Sequence, residues 1–409
     1  MTININYAVK WQKIPWRQFE KTLAHLQHKI YQAIKNNDLD KVKTIQNIIL
    51  DSSCARYLAV KQVTEFCYYK QYPGIDGLDY LSADKKILLA EQLKNFNTWP
   101  QKKLKKIYLY TFNGEKLYLN IATLEDRAMY CLIKYILEPI YYYHFSIIHQ
   151  SYIFSNDYRN LQNQMKIMVG SYKRVPRQIY HVNLAPCFQN CNLNLLINDI
   201  ILPKKLKPII KKSLKFGIID DYFQANAGLT HILINSFLSI LDKNINYKHS
   251  IYIRYNFEIF FLFELESDLE QFKSKINDFI NEKGLIHNSI IIQEGAFRNG
   301  FVFLYWSFRI KRRGKLISVP SKINYRSMVK SIKNMMKNTK YPIEMRIDKV
   351  IKIYYDWLSY NRYSDFSEVN LWYIKLWCYR YIKKNTKINS SKLIVKLKEH
   401  FNVQKSTIR

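Results

Sequence analysis

The chain has 409 residues, 48% of them hydrophobic, and 64 lysines and arginines against 32 acidic residues give a formal net charge of +32. A globular chain of this length packs as two or three units, and no stretch approaches the roughly 18 consecutive apolar residues of a membrane span, which excludes a transmembrane helix and a membrane partner. Charge of this size repels itself unless a polyanion neutralises it, so nucleic acid is the expected partner.

Between Pro15 and Lys35 the apolar residues Phe19, Leu23, Leu26, Ile30 and Ile34 line one helix face. Asp38 caps the next helix, which carries Val42, Ile45 and Ile49 and continues past Ser52 and Ser53 into Ala55 to Val63, with Arg56 and Lys61 predicted to face outward. Tyr72-Pro-Gly-Ile-Asp-Gly77 is a turn cluster between helical units, because proline fixes φ and glycine reaches backbone conformations closed to other residues. Lys102, Lys103, Lys105 and Lys106 lead into a strand from Ile107 to Tyr110, and Asn113-Gly114 predicts a hairpin turn after it.

Asp126 to Ile140 reads as helix. Gln178 to Leu184 and Ser250 to Leu265 read as strands, being rich in β-branched and aromatic residues, and the second bends near Asn256. Phe301 to Ile310 is predicted as one apolar strand, closed by the basic cluster Lys311, Arg312, Arg313 and Lys315. Beyond Pro320 the pattern turns helical, with one stripe at Ile343, Ile347, Val350, Ile351, Tyr354 and Leu358 and another at Leu371, Ile374, Cys378 and Tyr381.

Several residues invite a chemical reading. Adjacent Asp220 and Asp221 mark a solvated turn rather than an acid/base pair, since sequence neighbours seldom converge on one substrate. His25 and His28 lie one helical turn apart without a third ligand nearby and read as surface histidines. The six cysteines are scattered, only Cys187 and Cys191 are close, and no histidine pair completes a zinc finger, so reduced thiols and no metal or other cofactor are expected. The lysine excess is chain-wide, with one cluster at Lys204, Lys205, Lys207, Lys211, Lys212 and Lys215 and another at Lys330, Lys333, Lys337 and Lys340 at helical spacing. Both suit phosphate contacts along an RNA helix, while nearby aromatics such as Trp357, Tyr360 and Trp372 suit stacking on unpaired bases, although most such rings belong to cores.

The chain resembles the reverse transcriptases of group II introns. At the N-terminus the likeness rests on Trp16, Leu26-Gln27, Ile30-Tyr31 and Ala33, Ser52-Ser53, Ala59-Val60 with Val63, and Pro73-Gly74-Ile75-Asp76-Gly77. It continues through Trp99-Pro100, Asn113-Gly114, Asp126-Arg127-Ala128, Leu137-Glu138-Pro139-Ile140 and Ser151-Tyr152 with Phe154, in the family's order. Near the end, Pro320-Ser321-Lys322, Trp357 with Tyr360, Leu371-Trp372 and Trp377 look like the maturase domain that follows the thumb in this family.

That resemblance implies an α+β fold, a right hand of fingers, a palm with an antiparallel sheet and a helical thumb, plus a helical maturase domain. The implied division is 1–100 for the basic helical extension of the fingers, 101–310 for degenerate fingers and palm, and 311–409 for thumb and maturase helices. In the family, palm aspartates hold two metal ions. Here Asn183 stands where the first aspartate belongs, and the Tyr-Ala-Asp-Asp turn reads Tyr255-Asn256-Phe257-Glu258. Two-metal transfer needs several carboxylates around ions about 4 Å apart, which a lone glutamate does not supply.

Nucleotide-handling positions depart in parallel: Arg-Pro-Leu-Gly reads Leu117-Tyr118-Leu119-Asn120, Ser-Tyr-Gly-Phe-Arg reads Ser151-Tyr152-Ile153-Phe154-Ser155, and Gln-Gly-Gly reads Asn226-Ala227-Gly228 followed by His231 and Ile232. The function implied is that of a maturase without polymerase activity, binding group II intron RNA through the basic residues above. A residual polymerase and a scaffold turned general RNA-binding protein are the alternatives. Met1 to Lys10 lacks signal or transit character, and usage is skewed to Lys, Asn, Ile, Tyr and Phe as an AT-rich genome produces, so synthesis inside a plastid is expected, with the mitochondrion second.

Overall fold

A computed structural model describes residues 10–66, 72–110, 116–146, 152–154, 158–171, 178–188, 193–198, 200–218, 228–243, 250–285, 291–311, 316–367, 369–386 and 390–401. The Asn113-Gly114 turn, Asp220, Asp221, Arg312, Arg313 and Lys315 lie outside the described residues.

The N-terminal helices are α1 (Trp16–Lys35), α2 (Leu39–Asp51), α3 (Ser53–Lys61) and α4 (Ala83–Gln92). Asp38 caps α2 as its sequence position implies, its carboxylate accepting from the Lys41 amide. These helices pack around α5 (Leu124–Ser146), which carries Pro139 in its interior. Proline has no N–H to return to the carbonyl four residues back. Gln27 of α1 supplies the missing donor, its Nε2 reaching the Tyr135 carbonyl at 3.0 Å. The buried Gln46 of α2 likewise donates to the Ile201 carbonyl at 2.8 Å. The kinkable point of α5 is thus tied into the N-terminal bundle by an amide side chain.

The Pro73 to Gly77 loop packs on the start of α5 so closely that a Cβ on Gly74 would lie 2.7 Å from Thr123 Cα. Asp126 accepts from Trp99 Nε1 at 2.8 Å and from the Lys102 amide, while buried Arg127 donates to the Ala122 and Tyr72 carbonyls. These motif residues serve the scaffold.

A hairpin of β1 (Lys105–Tyr110) and β2 (Lys116–Ile121) precedes α5. The central sheet has the order β3 (Tyr152–Phe154), β5 (Ile251–Tyr255), β6 (Glu258–Phe263), β4 (Gln178–Asn183), β7 (Ile291–Ala296). Only the β3–β5 pairing is parallel. Helices α6 (Tyr158–Ser171), α7 (Leu193–Asn198), α8 (Lys207–Lys215), α9 (Leu229–Lys243) and α10 (Glu266–Glu282) surround it. One face, through Tyr180, Val182, Ile259 and Phe261, joins the core that also holds α9 and α10. The other, through Ile179, Ile251, Ile253 and Phe260, packs on a small sheet of β8 (Phe301–Phe303), β9 (Trp306–Ile310) and β10 (Leu316–Pro320).

Phe301 to Ile310 is therefore two strands and not the single strand expected, because Leu304 and Tyr305 adopt positive φ of 47° and 67° and fold the segment on itself. Helices α11 (Lys322–Lys337), α12 (Ile343–Tyr360), α13 (Leu371–Asn385) and α14 (Ser390–Phe401) then build a separate apolar cluster, with Ile332, Ile347, Val350, Ile374 and Leu397 fully buried. The fold is α+β, a five-stranded mixed sheet among helices followed by a small sheet and a helical C-terminal unit. Among the described residues no helix is long and apolar enough to cross a membrane.

Candidate nucleic-acid interface

Three of the palm positions that would hold metal ions meet at the end of the β4–β6 ladder, where Asn183 pairs in register with Glu258. Glu258 alone carries a carboxylate, and His181 engages it. Asn183 Oδ1 accepts from the Ala185 amide at 2.9 Å, closing the turn out of β4. Phe257 is only 2% exposed and packs on Phe188 at 4.7 Å between ring centroids, extending the core into the position of an aspartate. The Glu258 carboxylate lies 2.8 Å from His181 Nε2, and that imidazole stacks on Phe260 at 4.0 Å. Among the described residues no group of three His, Cys, Asp or Glu side chains is placed to hold a metal ion. These residues do not fit a two-metal centre.

A buried polar network holds this hairpin instead, and sequence reasoning missed it. Arg254 is fully buried and pairs with fully buried Asp242 at 2.5 Å. It also donates to Asn235 Oδ1 and to the Asn256 carbonyl, while Tyr252 Oη donates to Asp242 at 2.9 Å. The one signal in the sequence was an arginine inside the otherwise apolar strand Ile251 to Tyr255. His231 Nδ1, on α9, lies 2.8 Å from Asn256 Oδ1 at the hairpin turn, where Asn256 has a φ of 51°. The His231 side chain thus clamps the turn.

Burial pulls the His231 imidazole down to about 4, below its ordinary 6.5. The unfolded chain therefore takes up a proton near pH 6.5 that the folded chain refuses until about 4, so the clamp's stabilisation is complete above 6.5 and drains away as pH falls toward 4. Urea unfolding at pH 5 is expected to show roughly 2 kcal/mol less stability from this group than at pH 7.5, and His231→Gln should lose that component of the pH dependence. An unchanged pH profile in the variant would remove His231 from the account.

The predicted RNA contacts divide into three groups. Some belong to the interior. Arg56 does not face outward: it is buried, donating to the Ala90 carbonyl at 2.9 Å and the Asp51 carbonyl at 2.7 Å. Trp357 is buried with its indole N–H on Asn324, and Tyr360 stacks on Trp306 at 4.9 Å and donates to the Leu304 carbonyl. Trp357 falls three residues after Tyr354 on the helix's apolar stripe and packs in the C-terminal helical cluster, while Tyr360 packs α12 against the β8–β10 sheet.

Others are surface cations held by neighbours. Lys61 lies over the Trp16 ring at 4.3 Å, Lys102 pairs with Glu125 at 3.1 Å, Lys205 lies 3.9 Å from Asp51, and Lys311 pairs with Asp365 at 2.8 Å. The Lys311 ammonium holds the Asp365 carboxyl well below the usual carboxylate range. Lys105 and Lys211 are partly exposed.

The third group is solvent-exposed: Lys103, Lys106, Lys204, Lys330, Lys337 and Trp372, together with Lys212, whose ammonium lies 5.7 Å from the Phe216 ring. Their helices have one-sided chemistry. α8 carries four lysines and no carboxylate, α11 five cations and no carboxylate, and α13 four cations and no carboxylate. By contrast α10 carries five acids and two lysines. The positive charge is thus concentrated on some helices and the negative charge on another. On α11, Lys322, Arg326, Lys330 and Lys337 are all exposed, and Lys333 donates to Tyr373 Oη of α13 at 2.7 Å.

Residues 11–93 match the family described as the N-terminal domain of reverse transcriptase. Over 419 aligned residues the chain is 28% identical to Maturase-like protein 1 of Euglena longa, covering 98% of this chain and 89% of the relative. It is 25% identical to Maturase-like protein 1 of Euglena gracilis over 375 residues, covering 89% of this chain and 81% of the relative. Among solved structures, apo telomerase from Candida tropicalis aligns over 72% of this chain and 62% of its own, at 11% identity and a TM-score of 0.35, a likeness too slight to define the fold. Near-complete alignment to two maturase-like proteins, together with a matched reverse-transcriptase N-terminal domain, makes the chain similar to maturase-like proteins along most of its length.

Proposed function

We propose that the protein is an intron maturase: an RNA-binding splicing cofactor that stabilises folded group II intron RNA while the RNA itself performs the chemistry, its own polymerase activity having been lost. One observation carries this reading. Helices α8, α11 and α13 keep basic, carboxylate-free faces, while the palm's metal positions hold Asn183, Phe257 and a Glu258 engaged by His181. A cofactor that only gathers RNA domains needs charge and shape, and counterion release supplies the affinity. The lysine- and asparagine-rich composition supports translation inside a plastid.

The test pairs two assays on purified protein. Splicing of organellar group II introns recovered by crosslinking, at moderate salt, should accelerate with protein present, and primer extension with Mg²⁺ or Mn²⁺ should yield no product. Extended primer would restore the polymerase reading. Crosslinks spread over unrelated RNAs with splicing unchanged would mean a general RNA-binding scaffold.

A further inference from the structure

The C-terminal helices combine two features that a purely electrostatic phosphate surface does not need. Trp372 is 63% exposed and neighbouring Tyr373 is 46% exposed, although the other tryptophans described are buried or half-buried. At about 100° per residue, Trp372, Tyr373, Trp377, Arg380, Lys383 and Lys384 fall on one arc of α13, away from the buried Ile374, Cys378 and Ile382. The ammonium of Lys333 bridges from α11, lying 4.8 Å from the Tyr373 ring and 5.3 Å from the Trp377 ring. Trp377 in turn stacks on Tyr381 at 5.2 Å. The rings beside Trp372 are thus held in place, while Trp372 itself is exposed on the arc that carries Arg380, Lys383 and Lys384 further along the helix.

We propose that this face is a stacking site for an unpaired nucleotide of single-stranded RNA, with the Trp372 indole taking the base and the exposed cations of α11 and α13 taking the flanking phosphates. The inference rests on the RNA-binding reading above and names the kind of RNA it engages here. Charge selects the occupant: neither helix carries a carboxylate, so the face suits a polyanion rather than an ordinary protein surface. Exposed aromatic area selects among polyanions. A duplex hides its base faces, whereas a single strand offers them to an indole, and stacking is tolerant of sequence because every base has a π-face.

The experiment uses the full chain with a short single-stranded RNA oligonucleotide and a blunt duplex of the same sequence, at one moderate salt concentration. Binding is followed by anisotropy and tryptophan fluorescence. Wild-type emission should be quenched by the single strand and much less by the duplex. Trp372→Ala should weaken single-strand binding about tenfold and duplex binding less than about twofold, and Trp372→Phe should recover most of the difference. Equal effects on both RNAs, or none on either while wild type binds both, would sink the stacking site and leave the RNA-binding reading standing. If wild type binds neither RNA, both fall together. A wild-type dimer in sedimentation that Trp372→Ala dissociates would make this face a contact between copies and overturn the proposal.

Discussion

Replacing Arg254 with alanine is expected to cost about 3–5 kcal/mol of stability, because it leaves a fully buried Asp242 carboxylate facing an apolar core. The guanidinium satisfies Asp242, Asn235 and the Asn256 carbonyl together, so its loss also frees the β5–β6 turn that His231 clamps. Urea unfolding read by circular dichroism checks the value. Breaking one partner is the severe change; replacing both Arg254 and Asp242 by apolar residues of similar volume should recover much of the loss, since two desolvated charges return little more than they cost. A loss below about 1 kcal/mol in Arg254→Ala would mean the pair is not a structural element.

The second large effect concerns affinity. Arg326, Lys330 and Lys337 are exposed on one stripe of α11 and take no part in its core packing, so a triple alanine variant should keep its helical content and unfolding midpoint. Its binding to structured intron RNA should fall on the order of 10- to 100-fold at moderate salt. The slope of log affinity against log salt should shrink by about 2–3, because each cation removed leaves one phosphate to its own counterion. As a control, neutralising Glu266, Asp268 and Glu270 of α10 should leave that slope in place or strengthen binding slightly. An unchanged slope in the α11 variant, with binding intact, would move the interface elsewhere. The two predictions separate scaffold from surface: the first changes stability at the β5–β6 hairpin, the second changes RNA binding without touching the fold.

Much of this was legible in one dimension. Helix periodicity places Leu23, Ile30 and Ile34 on the buried face of α1 and Ile347, Val350 and Tyr354 on that of α12, because a 3.6-residue repeat puts such residues on one side whatever they pack against. Asp38 specified its cap, since the geometry involves only its own turn. The loss of carboxylates at Asn183 and Phe257 is a matter of residue identity, and no folding is needed to see that an amide and a benzyl group carry no charge.

What tertiary structure decided is the direction of each charged or aromatic side chain near a boundary. Arg56 and Lys61 sit on the same short helix, yet one enters the core to meet the Ala90 carbonyl of α4 and the other lies over Trp16. Only the helix packed alongside distinguishes them, because a buried carbonyl needing a donor outweighs the arginine's preference for water. Trp357 and Trp372 are the same residue type in neighbouring helices, one inside with its N–H satisfied by Asn324 and the other 63% exposed. The partnership of Arg254 with Asp242 and of His231 with Asn256 joins segments whose proximity exists only after α9 docks on the hairpin. Sequence by itself determined the helix faces, the excess of positive charge and the uncharged residues Asn183 and Phe257 at the end of the β4–β6 ladder. The folded chain decided which cations reach solvent and which buried network holds the β5–β6 hairpin, because burial and pairing depend on neighbours distant along the chain.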